Sequence, residues 1–206
     1  MNLYFKEIME WVYCIVIAVI LALVVRYFVG TPTIVKQVSM YPTLVEGNRL
    51  ILNRLGRTFG SKYKRGDIIT FEAPTNRSVE NQNNPKAVYA NEPEGIIQKF
   101  VHYVLELNKT SYIKRIIATE GEHVEIKGGK VYINGNEYVE DYLSKDIVTN
   151  SSDLTDFIVP EGYIFAMGDN RGKSTDCRAF GCVPLEKVEG KVVFRFWPFD
   201  VFGFIK

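Results

Sequence analysis

The chain has 206 residues, 47% hydrophobic and 24% charged, and its 25 Lys+Arg against 24 Asp+Glu leave a net charge of +1. That composition is too apolar for a disordered chain and too neutral to collect nucleic acid along a basic stripe, so no nucleic-acid partner is expected. With two His and three Cys and no HExxH, P-loop or GxGxxG run, a zinc site or nucleotide cradle is a poor expectation, and neither a metal nor a cofactor is called for.

Residues 11–25 carry no charge and consist mainly of Val, Ile, Leu and Ala. At about 1.5 Å per residue an anchor over 11–29 reaches ~28 Å, close to the ~30 Å hydrocarbon core. It takes in Arg26 near its end, where a guanidinium snorkels to the headgroups beside Tyr27 and Phe28. No small-x-small cleavage site follows, which disfavours a removed signal sequence, and a buried core helix is the other reading. Lys6, Glu7, Glu10 and Arg26 leave the orientation open.

Residues 30–206 read as a mostly β body. Apolar runs at 48–52 and 67–71 predict strands, and so does a hairpin of 122–126 with 130–133 across Gly128-Gly129. A second turn at Asn134-Gly135 precedes 138–139, and further strands are expected over 163–167 and 192–197. Residues 75–91, rich in Asn, Glu, Ser and Pro, predict an exposed loop. Ile96, Ile97, Phe100, Val101, Val104 and Leu105 then recur at helical spacing, which predicts an amphipathic helix over 94–107. Its apolar face is expected to pack on the body; docking on a bilayer or capping a groove are the other readings.

Three segments carry chemistry. Ser39 lies in Gln37-Val38-Ser39-Met40-Tyr41-Pro42-Thr43, where Pro42 stiffens the turn after the hydroxyl. Lys114 lies in the β-like run Tyr112-Ile113-Lys114-Arg115-Ile116, whose alternation sends one of its two basic residues toward the apolar interior. Arginine does not usefully deprotonate, whereas a desolvated lysine falls from ~10.4 toward neutrality and becomes a general base for a serine. The third segment, Gly168 through Arg178, is dense in turn formers and hydrogen-bonding groups between apolar borders, Met167 and Phe180.

In this order the segments resemble bacterial type I signal peptidases, membrane-anchored Ser–Lys proteases. The resemblance takes in the anchor, Ser39 through Leu44, residues 47–52 and 65–71, Tyr112 through Arg115, and Gly168 through Arg178. It implies a signal-peptidase-like β-rich body, with Ser39 as nucleophile and Lys114 as general base. It also implies that Ser174 hydrogen-bonds the lysine and that Asp176 and Arg178 form a supporting ion pair. Met40, Leu44, Tyr112 and Ile113 match positions near the pocket for the residue preceding the cut, and an extended substrate is expected in a groove after an Ala-x-Ala-like site.

The implied activity is cleavage of N-terminal signal peptides from exported preproteins, by an enzyme in the bacterial cell membrane. The implied layout is a short cytoplasmic terminus over 1–10, the single-pass anchor over 11–29, and an extracytoplasmic domain over 30–206. Expected partners are signal peptides, the lipid bilayer and the secretion translocon. Three features depart from the family pattern. Gln37 stands where many relatives carry Ser or Gly, which leaves the oxyanion donors open between Gln37 together with the backbone near Ser39 and the backbone alone. Residues 75–110 form an insertion, expected to reshape the groove. Cys177 and Cys182 are open between a short-loop disulfide and two buried thiols, while Cys14 is filler in the span. Readings from other classes are a catalytically silent, membrane-anchored β-domain that binds exported chains or assists surface assembly, and the related self-cleaving repressors, which need a DNA-binding domain in place of an anchor.

Overall fold

In the computed structural model, residues 3–60, 63–76, 78–79, 83–107, 109–144, 146–151 and 153–205 are described. Helix α1 (Leu3–Phe28) begins ahead of the expected anchor, because the residues before Trp11 contain no Gly or Pro to stop it. Over its most apolar 18 residues the mean hydropathy is 2.7 and none of them is buried, so the helix is long and apolar enough to cross a membrane.

The chain passes straight from α1 into β1 (Gly30–Ile34), then through a single 3₁₀ turn at Val38–Met40 to β2 (Arg49–Asn53), α2 (Leu55–Phe59) and β3 (Ile68–Glu72). After α3 (Ile96–Phe100), continued by a π turn over Val101–Leu105, come β4 (Ser111–Thr119), β5 (His123–Lys127), β6 (Lys130–Ile133) and β7 (Asn136–Glu137). The last elements are β8 (Asp156–Ile158), β9 (Tyr163–Met167), α4 (Cys177–Phe180), β10 (Val183–Pro184), β11 (Val188–Trp197) and β12 (Gly203–Phe204).

The larger sheet is antiparallel in the order β1-β2-β11-β3-β4-β9-β10, with β12 on β11, and the smaller runs β7-β6-β5-β8. The body is therefore mainly β, as its alternating runs predict. One core cluster joins the two sheets through Ile116, Ile117, Phe157, Phe165 and Phe180. A second, smaller cluster lies under the 3₁₀ turn and comprises Val35, Met40, Leu44, Leu50, Leu52, Ile68 and Val192.

Most expected strands stand within a residue or two of their places, but β7 precedes the expected 138–139 because the tight turn at Asn134-Gly135, both at positive φ, feeds directly into it. The short edge strands β8, β10 and β12 and the strand β1 had no alternating run long enough to announce them. Arg77, Glu80, Asn81, Gln82 and Asn108 of the insertion lie outside the described residues. Its helix forms, yet the expected packing fails over the first turn, where Ile96 and Ile97 are 89% and 80% exposed; farther on Val101, Val104 and Leu105 are half-buried, and His102 and Glu106 make the polar ties to Glu72 and Arg54.

Candidate active site

Ser39 sits on the 3₁₀ turn, which the loop after β9 grips from outside. Asn170 N–H donates to the Ser39 carbonyl at 3.0 Å and Asn170 Nδ2 to the Val38 carbonyl at 3.1 Å. Beneath the turn Met40 and Leu44 are buried to 1% and 0%. The hydroxyl is thus held by packing below and hydrogen bonds above, while Ser39 itself opens into the adjoining cavities.

Lys114 comes from the middle of β4, where it pairs with Ile69 of β3. It is 1% exposed, and its Nζ donates to Ser39 Oγ at 2.7 Å. Burial is the main cause that lowers its pKa, from 10.5 to about 8, and outweighs the Asp176 charge, which works the other way. The Tyr112 ring lies 5.3 Å from the same Nζ.

Arg115, next along β4, is also buried, at 3%. The alternation argument allowed only one basic residue inside, but the strand is covered on both faces. The guanidinium is satisfied by a bidentate pair with Asp169, at 3.0 and 2.8 Å, and by the Gly66 carbonyl at 3.0 Å. Asp169 and its role escaped the sequence reading, although the loop containing it had been singled out.

Below Lys114, Asp176 caps α4 and receives Arg178 Nε and Nη2, each at 2.8 Å, and the Gly168 N–H at 2.9 Å. Burial pushes the Asp176 carboxyl up, but the Arg178 hydrogen bonds, its charge and the Gly168 N–H outweigh burial and hold the pKa below the ordinary value. The implied Ser174–Lys114 hydrogen bond is not made among the described residues: Lys114 Nζ reaches Ser39 Oγ, while the buried Ser174 hydroxyl is turned toward the Asp176 carboxyl and helps to hold its pKa down. Ser174 also lies against Gly168, where an added Cβ would run into both Ser174 Oγ and the Ser39 carbonyl. Cys177 and Cys182 are free and fully buried, so two thiols stand where pairing had been left open, and burial pushes both pKa values up.

A groove of about 520 Å³ runs from Ser39 between β1 and the first residues of β4. Both walls have an open backbone edge: among the described residues β1 pairs only with β2, and β4 meets β9 only from Arg115 onward. Met40, Tyr112 and Ile113 line this groove, as does Gln37 at its exposed rim. Leu44 lines none of the described cavities and belongs to the core behind them. Gln37 precedes the 3₁₀ turn in extended conformation and its side chain caps nothing. A second cavity, of about 380 Å³, continues past Ser39 toward Lys173 and Thr175. Among the described residues no cluster of His, Cys, Asp and Glu is arranged to hold a metal.

Residues 8–197 match the family described as signal peptidase, peptidase S26. The chain is 31% identical over 212 residues to signal peptidase IB of Staphylococcus aureus (strain COL), covering 96% of this chain and 93% of the relative. It is 32% identical over 181 residues to thylakoidal processing peptidase 1, chloroplastic, of Arabidopsis thaliana, covering 88% of this chain and 46% of that protein. A crystal structure of a signal peptidase I from Enterococcus faecalis V583 is 30% identical, covering 63% of this chain and 96% of that chain with a TM-score of 0.42.

Proposed function

The chain belongs to the signal peptidase family of S26 serine peptidases, and from that premise we propose that it removes signal peptides from exported preproteins with Ser39 as nucleophile and Lys114 as general base. The observation that carries the assignment is the 2.7 Å contact of Lys114 Nζ with Ser39 Oγ inside a buried site, where desolvation brings the lysine to about 8. In its neutral form the amine accepts the hydroxyl proton, and Ser39 Oγ attacks the peptide carbonyl. Lys114 passes that proton to the leaving amine. Water then hydrolyses the acyl-enzyme with the same lysine as base.

The substrate adds as an extended strand between the open edges of β1 and β4, its small side chains before the cut facing Met40 and Ile113, which suits an Ala-x-Ala-like site. Backbone N–H groups at the 3₁₀ turn stabilise the oxyanion, with Gln37 on the rim as the side-chain candidate. Asp176 with Arg178, and Asp169 with Arg115, fix the loop that holds the turn, and Ser174 fills the space beside Gly168. The stretch 11–29, nearly all of it in α1, serves as the anchor in a bacterial cell membrane, with residues 1–10 cytoplasmic and the body over 30–206 extracytoplasmic, where preproteins emerge from the translocon.

The test is to incubate the detergent-solubilised chain with a preprotein bearing Ala-x-Ala, beside Ser39→Ala and Lys114→Met. Cleavage by the wild type alone is the expected result. Wild-type inactivity where a related peptidase cleaves returns the chain to the silent binding domain.

A further inference from the structure

The insertion helix is turned inside out relative to a helix on a water-soluble domain. Wound at about 100° per residue, its sequence places Ile96, Ile97, Phe100, Val101, Val104 and Leu105 in one half and Gln98, Lys99, His102, Tyr103 and Glu106 in the other. The later polar residues tie the helix to the body. His102 lies 3.4 Å from Glu72, Glu106 pairs with the buried Arg54, and Tyr103 OH donates to Glu92, which in turn pairs with Lys187. The apolar half faces out over its first turn, with Ile96, Ile97 and Phe100 exposed and Leu107 beyond the helix exposed too, while Val101, Val104 and Leu105 are half-buried. A soluble domain buries such a stripe against its core.

The end of the helix is also tied to the end of α1. Arg26 donates to Glu106 at 3.0 Å and to the Leu105 carbonyl at 3.4 Å, while Arg54, which lines the groove, bonds both Glu106 and the Arg26 carbonyl. Arg26 is the charge at which an anchor leaves the hydrocarbon, so this tie sets the helix at headgroup level. Its exposed stripe is therefore continuous with the lipid around α1.

We propose that residues 96–105 lie in the membrane interface as a second attachment, with the side of Ile96, Ile97 and Phe100 sunk into the acyl boundary. Through Glu106 this attachment fixes the height of the groove above the bilayer, and hence the length of extended peptide between the membrane and the cut. The inference rests on the reading of α1 as a membrane span.

The experiment uses the full chain in vesicles of phosphatidylethanolamine and phosphatidylglycerol, with an environment-sensitive fluorophore on one cysteine and nitroxide-labelled lipid as quencher. The wild type carries the label on Cys14, since Cys177 and Cys182 are buried; Ile96→Cys, Ile97→Cys, Gln98→Cys and Val139→Cys carry it in a Cys14→Ser background. Strong quenching is expected at 14, 96 and 97, weaker quenching at 98, and none at 139, which is 70% exposed in the body. Labels at 96 and 97 that read like 139 while Cys14 is quenched overturn the interfacial helix alone. An unquenched Cys14 overturns the span and the helix with it.

Discussion

The two faces of β4 carry neighbouring basic residues in opposite states. On one, Lys114 is buried against a serine hydroxyl with no carboxylate in hydrogen-bond contact among the described residues, and its pKa falls to about 8. On the other, Arg115 is buried at a similar depth but clamped in two places by Asp169. Burial without a paired counter-ion makes a base, whereas burial with one makes a strut. The sheet supplies both because the alternation of one strand delivers adjacent residues to different surroundings.

The largest effect that sharpens this contrast is on catalysis. Ser39→Ala and Lys114→Met each lower the cleavage rate by at least ~10³-fold, and the double variant is no worse than either, because the two groups act as a unit. Single-turnover cleavage of a preprotein measures it. Next, Asp169→Ala strands the Arg115 charge and lowers stability by ~3–5 kcal/mol, read as the shift in a denaturant melt of the full chain in detergent.

Lys114→Met has the opposite sign. The native pKa lies below the unfolded one, so burying the charged amine costs stability fully below about pH 8 and not at all above 10.5. The variant is therefore more stable by ~3 kcal/mol at pH 7, and the gain shrinks as pH rises from 8 past 10.5. An equal gain at both ends of that range breaks the comparison. The smallest of these effects comes from Gly168→Ala, whose Cβ collides with Ser174 Oγ and the Ser39 carbonyl; displacing the nucleophile by an ångström costs ~10²-fold in kcat.

Much of this was legible from residue types in order. The β body followed from alternating runs, and a hydroxyl before a proline turn and a lysine in an apolar strand marked Ser39 and Lys114, but their roles, and the pairing of Asp176 with Arg178, came from the resemblance of the ordered segments to signal peptidases. The Arg115–Asp169 pair was hidden because alternation speaks of one strand, and only the covering of β4 from both sides brings Asp169, from the loop after β9, to it. The outward face of the insertion helix was hidden for a related reason. Periodicity marks which residues share a side but not whether that side meets protein or lipid, and the deciding partners, Glu72, Glu92, Arg26 and Arg54, lie elsewhere in the chain.

The central claim is that an unpaired buried lysine is the base, and the pH dependence of kcat/KM for preprotein cleavage tests it most directly. The rate is expected to rise with pH through a single ionisation near 8 and to level off above it, because only the neutral amine takes the Ser39 proton. A rate that keeps climbing through the ordinary lysine range near 10.5, or one that does not change between pH 6 and 10, contradicts it.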